Sequence, residues 1–167
     1  MTSGGTTTEA VLRILFVCTG NTCRSPMAET LFRQLVIEKL DCRDWELRER
    51  GIDVFSAGIS AAETSPATPE AVQVMREFKL DLSQHLSQRV VPRMLEESTL
   101  VLTMTDRQRE LLAEACPDFA DRFRLLNRSG ADIADPIGGT LEDYRYCAQE
   151  ISDNLRLWID ELFRKDA

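Results

Sequence analysis

The sequence predicts an α/β fold: a three-layer open sandwich in which a four-stranded, mainly parallel sheet carries helices on both faces. Two observations predict it. Short apolar segments rich in β-branched residues alternate with longer segments in which apolar residues recur every three or four positions. The first segment, VLRILFVC at 11–18, is almost continuously apolar, as in a strand covered on both faces. Such sheets bind ligands at the carboxyl ends of their strands.

The predicted elements follow from the same two patterns along the chain. After the first strand, apolar residues recur at helical spacing over 28–40, with Ser25 as the predicted N-cap and Pro26 at the first helical position. The clearest helical period runs over 141–162. The remaining predicted elements are strands at 52–58, 99–104 and 123–126 and helices at 68–78 and 106–116.

Length, charge and cysteine content limit the classes to which the protein can belong. A chain of 167 residues fits one domain, expected over 11–167, and the small polar residues of 1–10 predict a disordered tail. The net charge of −8 argues against broad binding to nucleic acids or anionic membranes. The five cysteines are scattered, and the first ten residues lack the basic and apolar regions of a signal peptide. We therefore expect a cytoplasmic protein that binds neither nucleic acid nor membrane.

The segment VCTGNTCRSP at 17–26, where the first predicted strand ends, contains the candidate catalytic residues. Gly20 and Asn21 tolerate positive φ, so the loop can turn backbone N–H groups inward at a helix N-terminus, where they bind phosphate well. Arg24 adds a planar guanidinium that can hold two phosphate oxygens. We expect Cys18 on the floor of this positive cradle, which favours a thiolate nucleophile, and Ser25 can donate a hydrogen bond to it.

The segment VCTGNTCRSPMAE at 17–29 resembles the signature loop of the low-molecular-weight protein tyrosine phosphatase family. The likeness continues to the last helix, in the family's order, through SAG at 56–58, DLSQHLSQ at 81–88, LVLTMT at 100–105 and DP at 135–136. The resemblance therefore covers nearly the whole chain.

The resemblance implies roles for the residues of the first loop. Cys18 is the expected nucleophile, Arg24 the phosphate clamp, and Ser25 the group that stabilises the thiolate. The expected phosphate-binding residues are Thr19, Gly20, Asn21, Thr22, Cys23, Arg24 and Ser25.

The resemblance also implies supports behind the loop. Asn21 holds the loop in its strained shape, with Ser56 and His85 behind it. Because the chain has a single histidine and no Cys–His cluster, we expect no metal site and no cofactor.

An aspartate on a second loop is the expected proton donor. Asp135 belongs to NRSGADIADPIGGT, and Pro136 favours an extended conformation in the residue before it. The resemblance implies that Asp135 protonates the leaving group and later helps to activate water. Asp132 is the alternative acid, and an aspartate in such a loop is otherwise most often a turn former.

A second cysteine, Cys23, lies one residue before Arg24. In the family the matching pair can form a reversible disulfide that blocks the nucleophile, which makes Cys23 the expected redox partner of Cys18. Alternatively, Cys23 only packs beneath the loop.

Two positions favour phosphoarginine over phosphotyrosine as the substrate group. Tyrosine-specific members of the family usually have an aromatic residue soon after Asp-Pro, whereas here Ile137 and two glycines follow. A threonine at position 22 of this loop resembles the pattern of the bacterial protein arginine phosphatase branch. Its hydroxyl can form a hydrogen bond with a guanidinium. We expect phosphorylated proteins as partners, inorganic phosphate as a product, and phosphotyrosine as the alternative substrate group.

Three other functions fit parts of the sequence. Thiol-linked arsenate reductases have a similar loop, but they relay a disulfide through mid-chain cysteines, and the stretch LVLTMTDRQREL is followed by no cysteine until Cys116. A non-catalytic phosphoprotein-binding module and a redox sensor built on the two loop cysteines are the others. The combination of Cys18, Arg24, Ser25 and Asp135 favours the enzyme over all three.

Overall fold

The computed structural model describes residues 11–164. Four strands form one sheet in the order β2-β1-β3-β4, and every neighbouring pair is parallel. Helices cover both faces, so the predicted three-layer α/β fold is confirmed. The tail predicted at 1–10 lies outside the described residues. The strands are β1 (Leu12–Cys18), β2 (Ile52–Gly58), β3 (Leu100–Thr103) and β4 (Phe123–Leu125).

The helices of the described chain include three that the sequence did not predict. These are α2, α4 and a 3₁₀ helix, and each is too short to show a helical period. The helices are α1 (Arg24–Leu40), α2 (Glu46–Glu49), α3 (Pro69–Glu77), α4 (Pro92–Glu97), α5 (Asp106–Ala115), the 3₁₀ helix (Pro117–Arg122) and α6 (Leu141–Leu162).

Strand β1 contributes side chains to both cores. Ile14, Phe16 and Cys18 belong to the larger core, with residues of α1 and α6, whereas Leu15 and Val17 belong to the smaller core on the opposite face. Burial of each large apolar side chain contributes about 1.5–3 kcal/mol, so the strand that carries Cys18 is strongly fixed.

The start of α1 differs from the prediction. The helix begins at Arg24, two residues earlier than predicted, and Cys23 rather than Ser25 is its N-cap. The prediction is wrong because the Ser25 hydroxyl bonds the side chains of Cys18 and Asn21 instead of a helix N–H. Pro26 is still within the first turn, where a missing N–H costs little.

The sheet topology places the first loop at a switch point. β1 lies between β2 and β3. The connection from β1 to β2 runs through α1 on the face of the larger core, whereas the connection from β3 to β4 runs through α5 on the opposite face. Open parallel sheets bind ligands at such a point.

Over residues 11–164, we find no helix of the length and apolarity that a membrane crossing requires.

Candidate active site

Cys18 ends β1 and begins the cysteine loop, which we define as residues 18–25. The thiol is 2% exposed. Its Sγ lies 2.9 Å from Ser25 Oγ and accepts a hydrogen bond from the backbone N–H of Asn21 at 3.2 Å. Two hydrogen-bond donors therefore converge on the sulfur, an arrangement that stabilises a thiolate.

Asn21 fixes the shape of the cysteine loop. Its φ of 56° is left-handed, a conformation that Asn tolerates better than most residues. Its Nδ2 donates to Ser25 Oγ at 2.8 Å and to Ser56 Oγ at 3.0 Å, and its Oδ1 accepts from the Gln88 N–H at 3.0 Å. His85 Nε2 lies 2.7 Å from the Asn21 carbonyl oxygen. Burial lowers the pKa of His85, so the neutral ring donates to that carbonyl through Nε2–H.

Gly58 lets β2 approach the cysteine loop. A Cβ at this position would lie 2.6 Å from the Thr19 carbonyl oxygen and 2.9 Å from the Asn21 backbone nitrogen. Both neighbours are backbone atoms, which cannot move aside cheaply. Only glycine fits here without displacing the loop.

The N-terminus of α1 faces the cysteine loop without a side-chain cap. Among the described helices of nine residues or more, α3, α5 and α6 are each capped by a threonine, whereas no side chain caps α1. The first N–H groups of a helix have no intrahelical acceptor and carry a partial positive charge. This helix end is therefore suited to an anion such as phosphate.

Arg24 joins the cysteine loop to the aspartate loop, which we define as residues 127–140. The side chain is 4% exposed; its Nη1 donates to the Ile133 carbonyl oxygen at 2.8 Å, and its Nη2 lies 3.3 Å from Asp135 Oδ2. Its Nε is buried and has no acceptor among the described residues. A buried donor without an acceptor costs about 1–3 kcal/mol, so this position fits a ligand oxygen.

Both loops line a cleft of about 390 Å³. The cleft combines two basic side chains, Arg24 and Arg107, with two acidic ones, Asp132 and Asp135. Its apolar wall includes Ile59, and none of the described residues that line it is aromatic. The cleft can therefore hold a phosphate beside a cationic group.

The two predicted specificity positions lie in different surroundings. Thr22 is partly exposed, and its Oγ1 lies 3.7 Å from the position of a Cβ on Gly20. Ile137 is 59% exposed and lines a separate cavity of about 200 Å³ with Tyr146 and Cys147. The structure thus puts the Ile137 side chain on the side of the aspartate loop that faces α6, not in the wall of the cleft.

Two buried thiols lie beneath the aspartate loop. Cys23 Sγ lies 3.7 Å from Asp135 Oδ1, and Cys147 Sγ lies 3.9 Å from the Ala134 carbonyl oxygen. Burial raises the pKa of each thiol to about 12, with a further contribution to Cys23 from Cys18. Both are therefore protonated near neutral pH, and each acts as a weak hydrogen-bond donor.

Several contacts of the site were not foreseen from the sequence. Gln88 bonds Asn21 from the 81–88 segment, and Gln108 Nε2 donates to Thr19 Oγ1 at 3.1 Å. The pattern Thr-x-x-Gln at 105–108 is a capping-box signal, which predicts the start of a helix but not a contact with a distant loop. The helical period of α6 marks Cys147 only as a core residue.

Comparison with known proteins identifies the family. The profile of the low molecular weight phosphotyrosine protein phosphatases matches residues 13–167. The chain belongs to this family. The low molecular weight phosphatases are cysteine-dependent hydrolases, and the family predicted from the first loop is confirmed.

Individual relatives include phosphatases of two kinds. A protein-arginine-phosphatase of Bacillus subtilis (strain 168) is 34% identical over 92% of this chain and 97% of its own length. A probable low molecular weight protein-tyrosine-phosphatase, EpsP, of Ralstonia nicotianae is 33% identical over 89% of this chain and 94% of its own. The solved structure of a YwlE arginine phosphatase mutant with a phosphorylated active site serine has a TM-score of 0.79 at 31% identity, covering 92% of this chain and 97% of that one.

Proposed function

We propose that this protein is a phosphoprotein phosphatase that hydrolyses phosphoarginine through a cysteinyl-phosphate intermediate, with Cys18, Arg24 and Asp135 as its catalytic residues. One observation carries the proposal: the buried side chain of Arg24, a residue of the cysteine loop, contacts the aspartate loop, and its Nε has no acceptor among the described residues. A phosphoryl group bound in the cysteine loop supplies that acceptor.

The reaction proceeds in two balanced steps. In the first, the Cys18 thiolate attacks phosphorus, the bond from phosphorus to the guanidinium nitrogen breaks, and Asp135 gives its proton to that nitrogen. In the second, Asp135 takes a proton from water, the resulting hydroxide attacks phosphorus, and the sulfur–phosphorus bond breaks. The products are inorganic phosphate and the regenerated Cys18 thiolate. Arg24 and the N–H groups at the start of α1 stabilise the charge on the phosphoryl oxygens.

The charge and shape of the cleft support an arginine side chain. Asp132 offsets the positive charge of a guanidinium, and Asp135 does so once it has given its proton to the leaving nitrogen. The lining offers no aromatic ring among its described residues on which a phenol could stack. The 34% identity to a protein-arginine-phosphatase supports the same substrate. Thr22 is the residue whose hydroxyl we assign to recognition of the guanidinium.

Phosphotyrosine is the second candidate substrate. Ile59 and Leu111 line the cleft and offer apolar contacts to a flat ring. The relative from Ralstonia nicotianae, named as a probable tyrosine phosphatase, supports this alternative.

We further propose phosphorylated cytoplasmic proteins as partners, with Cys23 as the thiol that protects Cys18 by forming a disulfide. The five cysteines are all free in the structure, and Cys18 and Cys23 lie in one short loop. The net charge of −8 supports partners other than nucleic acids.

The experiment that tests the function is a comparison of kcat/KM for a phosphoarginine and a phosphotyrosine peptide, in the presence of reductant and chelator. Cys18→Ser is the blank. We expect at least a roughly 10-fold preference for phosphoarginine, since specificity rests on small differences in the pocket. A preference for phosphotyrosine would contradict the proposed substrate, and turnover that survives in Cys18→Ser would contradict the mechanism.

Thr22→Val sharpens the assignment, because it removes the hydroxyl and keeps the branched shape. We expect the preference for phosphoarginine to fall roughly 10-fold, the scale of one lost hydrogen bond to a charged group. An unchanged preference would show that Thr22 only packs within the loop and does not recognise the substrate.

A further inference from the structure

One helix end lies between the two loops of the cleft. The segment at 104–108, which includes the first turn of α5, forms hydrogen bonds with both the cysteine loop and the aspartate loop. The two loops are far apart in the chain, so a rigid neighbour that both contact fixes their separation.

Gln108 makes the contact with the cysteine loop. The residue is 5% exposed, and its Oε1 accepts from the backbone N–H groups of Met104 and Thr105, both at 3.0 Å. Its Nε2 donates to Thr19 Oγ1 at 3.1 Å. The residue that follows Cys18 is thereby tied to the first turn of α5.

Asp132 makes the contact with the other loop. Its Oδ1 accepts from the backbone N–H of Asp106, the first residue of α5, at 2.8 Å. The next residue, Ile133, is buried, and its N–H donates to the Met104 carbonyl oxygen at 2.8 Å. Asp135 follows two residues after Ile133, so the anchor at 132–133 restricts the backbone from which its carboxyl group extends to Arg24.

We propose that Asp132 is a positioning residue. Its hydrogen bond to the N-terminus of α5 holds the aspartate loop where the Asp135 carboxyl group reaches the leaving atom of a substrate bound at Cys18. The inference rests on the proposed function and goes beyond it. It gives Asp132 and Asp135 different contacts, because Asp132 bonds the first turn of α5 whereas Asp135 contacts Arg24 of the cysteine loop.

The test removes each partner of this hydrogen bond separately. Asp132→Ala removes the acceptor. Asp106→Pro removes the donor without changing the aspartate loop, because proline is tolerated at the first helical position and Thr105 before it is already extended, with φ −131° and ψ 156°. Asp106→Ala keeps the N–H and controls for loss of the ion pair between Asp106 and Arg109.

The measured quantity is the dependence of kcat/KM on leaving-group pKa over a series of aryl phosphates. A well-placed acid makes this dependence shallow, and Asp135→Asn gives the steep reference. For Asp132→Ala and Asp106→Pro we expect a loss of roughly 10-fold with phenyl phosphate and at most about 2-fold with p-nitrophenyl phosphate, because a small displacement of the acid costs most where protonation matters most.

Two controls complete the test. Asp106→Ala keeps the shallow dependence, and the double variant Asp132→Ala with Asp106→Pro loses no more than either change alone, because both remove one bond. An equal loss over the whole series, or additive losses in the double variant, would overturn the positioning role. A steep dependence in Asp106→Ala would overturn it too, by assigning the effect to the ion pair. Wild-type protein without Cys18-dependent turnover of either the aryl phosphates or a phosphoarginine peptide would instead overturn the proposed function itself.

Discussion

The two loops that meet at the cleft are built in different ways. In the cysteine loop, Cys18, Asn21, Arg24 and Ser25 are at most 4% exposed, and their side chains bond one another or neighbouring strands and loops. In the aspartate loop most residues are exposed, and the Asp135 side chain is 40% exposed. The cysteine loop is part of the core, whereas the aspartate loop is attached to the surface at a few points.

This difference predicts two kinds of mutational effect. A change in the cysteine loop disturbs buried hydrogen bonds and should lower both stability and activity. A change at an exposed position of the aspartate loop should lower activity and reduce the free energy of unfolding by no more than about 1 kcal/mol. Variants in each loop test that division, beginning with Arg24, the side chain of the cysteine loop that contacts the aspartate loop.

Arg24→Lys should have the largest effect. Lysine keeps the charge but lacks the planar fork with which Arg24 contacts Ile133 and Asp135. We expect kcat/KM for phosphoarginine peptides and aryl phosphates to fall roughly 10³-fold, the scale for losing an oxyanion donor. Arg33→Lys, on the same helix, is the control and should keep its activity. A loss of less than about 10-fold in Arg24→Lys would show that a single charge suffices to clamp phosphate.

Gly58→Ala should lower stability more than the same substitution at the exposed Gly138 of the aspartate loop. The new Cβ would meet the backbone of Thr19 and Asn21, so we expect the free energy of unfolding to fall by about 3 kcal/mol, the upper range for overpacking. Gly138→Ala in the aspartate loop is the matched control. Its φ is +77° but nothing lies within 4 Å of the added Cβ, and we expect a loss of about 1 kcal/mol. Equal losses in urea denaturation would contradict the division between the loops.

Asp135→Asn should separate activity from stability. With phenyl phosphate we expect kcat/KM to fall roughly 10²-fold, because the leaving group is no longer protonated. The free energy of unfolding should stay within about 0.5 kcal/mol of wild type, as for other exposed positions. Glu142→Gln, exposed just after the same loop, controls for the loss of one negative charge. A large fall in stability would show that the ion pair with Arg24 is structural.

The same difference between the loops explains what the sequence could predict. The cysteine loop was predictable because Cys18, Asn21, Arg24 and Ser25 lie within eight positions of one another. Three of them, Cys18, Asn21 and Ser25, also form hydrogen bonds among themselves. The first strand was predictable because residues 14–18 of β1 are buried on both faces of the sheet and are all apolar. Both signals are local, so no knowledge of the folded chain was needed.

The contacts that the sequence did not reveal are long-range. Gln108 of α5 contacts the cysteine loop, and Asp132 contacts α5, only after the chain has folded. In the sequence, Gln108 indicates only a helix cap and Asp132 only a turn. The prediction of Ser25 as the N-cap of α1 is wrong for a different, local reason: its hydroxyl bonds Cys18 and Asn21 within the cysteine loop. Residues that position a site from a distance carry no sequence pattern of their own.

Glu29→Gln should give the smallest effect, because Glu29 lies on α1 behind the cysteine loop. Burial raises the pKa of Glu29 to about 7, although the nearby Arg33 opposes the shift. The folded protein therefore keeps a proton that the unfolded chain releases above its ordinary pKa of 4.5. This contribution to stability is complete below pH 4.5 and is lost as the pH rises through 7.

Between pH 5 and pH 8 we expect Glu29 alone to lower the wild-type free energy of unfolding by about 2 kcal/mol, a loss that is absent in Glu29→Gln. Urea denaturation of both proteins at the two pH values measures it. His85 has a lowered pKa and the opposite pH dependence, but it is present in both proteins and cancels in the difference. Glu38→Gln, exposed on the same helix, should behave as wild type. An identical pH dependence in wild type and Glu29→Gln would mean that the Glu29 side chain is in contact with water. Water would then reach α1 on the side of the helix that faces away from the cleft.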